Sequence, residues 1–147
     1  MAVQNLPKKY LKIDKQSSEM IQGIGIDVVE ITRIDEMIKR WQARFVDKVF
    51  TPEEIAHGAS RSDRAAALAA RFAAKEAFAK ALGTGWDARF RWKDFSTRST
   101  AGGQPVAVLS PSMQKRLENV RIHLSLSHSE LFAAAVVILE RAKLSDE

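Results

Sequence analysis

The stretch from Arg61 to Leu82 constrains this chain most, because it reads as one long helix that is apolar on nearly every side. At about 100° per residue, Ala66, Ala67, Ala70, Ala73, Ala74, Ala77 and Ala81 cover one broad arc, and Leu68, Phe72 and Ala79 cover the opposite side. Side chains that small let other backbone come very close, and a helix apolar on both sides is normally buried. Charges embedded in it then need partners. Arg64, Arg71 and Lys75 fall in one narrow cationic line, while Glu76 and Lys80 stack one turn apart on another. That pair is either an ordinary i,i+4 salt bridge or part of a site, and the surrounding alanines speak for a site. Ser60 or Ser62 opens the helix, and the Gly83-Thr84-Gly85 break stops it.

Before this helix, Met20 to Val29 predicts a strand in which Ile24, Ile26 and Val28 alternate with Gly23, Gly25 and Asp27. One face is aliphatic; the other holds a single carboxylate beside two glycines that leave the backbone open to close approach. Ile31, Ile34, Ile38, Trp41 and Phe45 then recur at three and four, the apolar stripe of an amphipathic helix, with Arg33, Lys39, Arg40 and Arg44 on the remaining surface. Thr51, Pro52 and Glu54 form a capping box with proline at the first helical position, and Gly58 ends that short helix.

Farther on, Gly102, Gly103 and Pro105 mark a turn into a strand from Val106 to Leu109, and Ser110 and Pro111 start a short helix to about Asn119. The C-terminal third reads as a hairpin: Ile122, Leu124 and Leu126 alternate against polar residues, and Ala133 to Leu139 returns. No βαβ rhythm appears, so the expected class is α+β, with a largely antiparallel sheet packed around the long alanine-rich helix. Residues 1–19 are polar and lysine-rich without a sustained period and read as a flexible extension, leaving 20–147 as one domain.

Composition narrows the function classes. With no cysteine among 147 residues, thiolate metal sites and thiol nucleophiles are excluded. No apolar run approaches the roughly 18 residues of a membrane span, and no signal peptide is evident, so the expected location is the cytoplasm. A formal net charge of +5 suits an anionic partner. Asp27 is either the cap of the next helix or, paired with Glu76, half of a hard-cation site completed by phosphate oxygens and water. His128 is either a satisfied loop histidine or a phosphate donor.

Three segments carry a resemblance. They are Gly23-Ile24-Gly25-Ile26-Asp27-Val28-Val29-Glu30 with Arg33, then Arg71-Phe72-Ala73-Ala74-Lys75-Glu76-Ala77-Phe78-Ala79-Lys80-Ala81-Leu82-Gly83-Thr84-Gly85, and Leu124-Ser125-Leu126-Ser127-His128-Ser129. In order and separation they resemble the holo-acyl-carrier-protein synthase family of 4′-phosphopantetheinyl transferases, from Met20 to about Glu140. The helix segment is the specific one.

The resemblance implies the fold of that superfamily and transfer of phosphopantetheine from coenzyme A to a serine of an apo acyl carrier protein, serving fatty acid biosynthesis. It implies Asp27 and Glu76 as magnesium ligands and, with Lys80, as the catalytic set. Arg71, Lys80, Gly83, His128 and Ser129 would contact coenzyme A, and Arg33, Met37, Arg40 and Arg44 an acidic carrier. The spacing from Arg40 to Arg44 is one residue longer than the family pattern. A homotrimer with sites between subunits is implied too, in which Asp27 and Glu76 could meet across an interface. Relatives commonly begin near Met20. In this chemistry the carrier serine attacks the pyrophosphate, adenosine 3′,5′-bisphosphate leaves, and the serine proton goes to metal-bound water or to a carboxylate. Two rivals remain: a nucleic-acid module, suggested by Trp41, Trp86 and Trp92 among arginines, and a non-catalytic coenzyme A sensor. Neither nucleic acid nor membrane is expected as a partner.

Overall fold

Glycine against alanine sets the architecture. The computed structural model describes residues 20–85 and 90–142, in the order β1 (Ile21–Glu30), α1 (Ile31–Trp41), α2 (Ala43–Val49), α3 (Pro52–Ala59), α4 (Arg64–Ala81), β2 (Phe95–Ser99), β3 (Pro105–Leu109), α5 (Pro111–Arg116), β4 (Val120–His128) and β5 (Phe132–Arg141). Strands β1, β5 and β4 form one sheet in that order, and β2 and β3 a second, every pairing antiparallel. The α+β class is as expected. The extension over 1–19 and Trp86 lie outside the described residues.

Helix α4 lies on one face of the larger sheet. A Cβ at Gly23 would run into the carbonyl oxygen of Ala81, and one at Gly25 into that of Ala77. The partner that needs the open backbone of β1 is therefore α4 itself. Its alanines, with Ala133, Ala135, Val137 and Leu139 of β5, form the main core. On the other face, no described element covers the β1 edge: Ile24, Ile26 and Val28 are 62%, 61% and 59% exposed. They pair across to Ile138, Val136 and Ala134. No helix among the described residues is long and apolar enough to cross a membrane.

The capping box of α3 forms as expected, with Thr51 Oγ1 accepting from Glu54 N and Glu54 Oε2 from Thr51 N. Other expectations need correction. The stripe from Ile31 to Phe45 is not one helix: Gln42 takes a φ of 43° and turns α1 into α2. Phe45 is buried in a second cluster with Val46, Val49, Phe50 and Leu68, but Trp41 is 47% exposed. Gly58 does not end α3; it sits inside, tight against Leu68, and Ser60 is the C-cap. Helix α4 starts at Arg64 behind Asp63, because Ser60 closes α3 and Arg61 turns back to hold Asp63 at 3.0 Å. Strand β2 was not legible in sequence, since most of its residues are polar.

The cationic row of α4 splits along its length. Lys75 is fully buried and bonds Glu54 of α3 at 3.0 Å. Its ammonium also donates to the carbonyls of Trp92 and Phe95, so all three protons are used. Glu54 accepts from Thr97 N and Thr51 N as well. The pair ties α3, α4 and β2 together and fixes the rotation of the helix that carries Glu76 and Lys80. Burial pushes the Lys75 ammonium below its ordinary value, with Glu54 opposing the shift.

Candidate active site

Asp27 lies two residues beyond Gly25, on the face of β1 that meets α4. Its carboxylate accepts from Lys80 Nζ at 3.1 Å, and the same ammonium donates to the Ile26 carbonyl at 2.9 Å. Glu76 sits one helical turn before Lys80 on α4, half-buried. Asp27 reaches Lys80 within one chain, and Glu76 lies on the same helix as Lys80. Asp27 does not cap α1, whose N-cap is Glu30. With the Asp27 side chain 18% exposed and that of Lys80 55%, the group opens to solvent and can be reached.

This donor set suits a hard cation. Among the described residues no group of three His, Cys, Asp or Glu could hold a metal, so a cation here would need oxygens from a ligand and water beside Asp27 and Glu76. Magnesium, held through few carboxylates together with phosphate oxygens, fits such a site. Beyond Lys80, Gly83 closes α4 with a φ of 75°, and apart from its chain neighbours no atom of the described residues lies within 4 Å of where its Cβ would stand. Conformation, not crowding, demands glycine there.

A second group forms around Arg71. Arg71 is 4% exposed; Nη1 donates to the Ala67 carbonyl at 3.1 Å, while Nε has no hydrogen-bond partner among the described residues. Burial lowers its affinity for the proton. With His57, Arg61, Ser127 and His128 it lines a cavity of about 280 Å³. Burial first, and then Arg71 and Arg61, hold the His57 imidazole below its usual pKa. A buried donor left over on a guanidinium can take an anion, and Asp63, which also lines the cavity, is held by Arg61.

His128 also borders a larger hollow of about 760 Å³ with Asp63, Arg64, Ser129 and Glu130. Its own contacts are long, 3.8 Å to Asp63 and 3.4 Å to the Ser129 carbonyl, so it is not a tightly satisfied loop histidine. The Ser129 hydroxyl accepts from Leu131 N and Phe132 N and holds the turn. His57 and Arg61 were not singled out in sequence, because only the packing of α3 on α4 brings them to Arg71.

Asp27 and His128 stand on opposite edge strands, β1 and β4. Asp27 pairs with Ala135, and Ala135 with Leu126, two residues before His128. With β5 between them, two strand spacings of about 4.8 Å each separate the carboxylate edge from the histidine edge. Arg33 and Arg40 are exposed on α1, which follows β1 directly, and Met37 is half-buried. The Gln42 corner separates Arg40 on α1 from exposed Arg44 on α2. Trp92 stacks on Phe72 at 5.2 Å, a packing role.

Comparison with known proteins agrees with this fold. A family model described as the 4′-phosphopantetheinyl transferase superfamily matches residues 23–137. The holo-[acyl-carrier-protein] synthases of Halothermothrix orenii and Koribacter versatilis are each 44% identical over 124 residues, covering 82% of this chain and 98% and 99% of theirs. The solved synthase of Neisseria meningitidis superposes with a TM-score of 0.78 at 37% identity, over 83% of this chain and all of that one. The Bacillus anthracis synthase, solved in complex with CoA (3′,5′-ADP), gives 0.72 at 36% identity, over 84% of this chain and 99% of that one.

Proposed function

This chain belongs to the holo-[acyl-carrier-protein] synthase family of 4′-phosphopantetheinyl transferases, and we propose that Asp27, Glu76 and Lys80 carry its transfer of phosphopantetheine from coenzyme A to an acyl carrier protein. The observation that supports this most is the single ammonium of Lys80 on Asp27, one turn from Glu76. Asp27 and Glu76 hold magnesium, which when bound neutralises charge on the pyrophosphate. Lys80, at the exposed end of a long stem, donates to the leaving phosphate as the carrier serine attacks. Arg71 and His128 take the phosphates of the nucleotide end, where the unpartnered Nε and the open cavity lie. The Gly83 turn borders the ligand, and Ser129 contributes through the turn it holds, beside the larger hollow.

The carrier docks on α1 and the start of α2 through Arg33, Met37, Arg40 and Arg44. These cations call for an acidic partner, as the carriers of fatty acid biosynthesis are expected to be, in the cytoplasm. Two features support a homotrimer: the bare apolar face of Ile24, Ile26 and Val28, and the placement of the carboxylate and histidine groups on opposite edges. Mass spectrometry of apo acyl carrier protein, incubated with coenzyme A and this protein, tests the reaction. A gain of one phosphopantetheine is expected, and none with any carrier would overturn it.

A further inference from the structure

Trp41 occupies an unexpected place. Its periodicity assigns it to the buried stripe, yet it is 47% exposed, because α1 ends there and Gln42 turns the chain through a left-handed φ of 43°. Arg33, Met37 and Trp41 are each four residues apart and so form one ridge of α1. Arg40 lies over the indole, its guanidinium carbon 5.2 Å from the ring centroid. Arg33, Arg40 and Arg44 are exposed around it; of the acids on α1, Asp35 is paired with Lys39 and Glu36 is exposed one turn before Arg40.

A lone exposed aromatic is ordinary on a protein surface. This one is a tryptophan in the middle of a cationic row, with one ring face against an arginine. Tryptophan and arginine together are the residue types that most often dominate binding energy at an interface. The charges around it fix the sign of whatever docks.

We propose that Trp41 is the apolar anchor of the carrier-docking surface, seating against an apolar side chain of an acidic amphipathic helix whose carboxylates meet Arg33, Arg40 and Arg44. This rests on the reading of α1 as the docking helix given above. The cations would steer the encounter, and the indole would hold the complex once water is expelled between the two surfaces.

Steady-state transfer with Trp41→Ala and, in parallel, Arg33→Glu tests the proposal on the full chain. Trp41→Ala should raise the KM for apo carrier about tenfold, as loss of an interface anchor does. Its KM for coenzyme A and its rate at saturating carrier should stay unchanged, as should the salt dependence of carrier KM. Trp41→Phe should recover part of the loss. If Arg33→Glu raises carrier KM and Trp41→Ala does not, the Trp41 anchor is wrong and the docking helix stands. If neither variant moves carrier KM, both readings fall.

Discussion

Lys80 bridges the Asp27 carboxylate and the Ile26 carbonyl, at 3.1 and 2.9 Å, and so ties the C-terminal turn of α4 to β1. A cation this close to a carboxylate competes with any metal ion for it. Lys80→Met should therefore tighten Mn2+ binding to the ligand-free protein, by about three- to tenfold given the Coulomb energy at a solvated site, while transfer activity falls. Titration followed by electron paramagnetic resonance reads the first effect and the transfer assay the second. Weaker Mn2+ binding would show that Lys80 acts only as scaffolding.

Arg71 makes the opposite separation. Its Nε is buried without a partner, so the guanidinium stabilises the unliganded fold little. Arg71→Met should leave the melting temperature of the ligand-free protein unchanged or raised, and should abolish the stabilisation that coenzyme A gives the wild type. A drop in melting temperature without ligand would make Arg71 a structural residue.

The Lys75–Glu54 pair, at 3.0 Å with both side chains fully buried, is a fold element and not part of the site. Removing one partner of such a pair leaves a buried charge uncompensated, so Lys75→Met or Glu54→Gln alone should cost about 3–5 kcal/mol in urea unfolding. The double variant should lose less than the sum. Additive losses would mean that the two groups do not act together.

Much of this was legible in the sequence, and the misses have physical causes. The alanine arc of α4 and the two glycines of β1 announced a close backbone contact, but only the packed chain shows that each answers the other. Asp27, Glu76 and Lys80 stood out by type and spacing. Trp41 was misplaced because periodicity assumes a continuous helix, and a single left-handed residue at Gln42 ends it. Strand β2 was missed because its buried Ser96 and Thr97 answer to partners, Val108 and Glu54, far along the chain.

His57 gives a pH signature. Burial, with Arg71 and Arg61 nearby, lowers its pKa below 6.5, so the unfolded chain takes up the proton at higher pH than the folded one. Its contribution is complete above pH 6.5 and is lost as pH falls through the folded value. Melting curves from pH 7.5 to 5 should flatten in His57→Gln relative to wild type. An unchanged slope would remove His57 from the cause.

The most direct measurement is the transfer rate to apo carrier, titrated with magnesium, in wild type and Glu76→Gln. If Asp27 and Glu76 hold the metal, the variant will need far more magnesium to reach half its maximal rate, and its rate at low magnesium will be lost. Near-normal turnover by Glu76→Gln at low magnesium would contradict the assignment of the site.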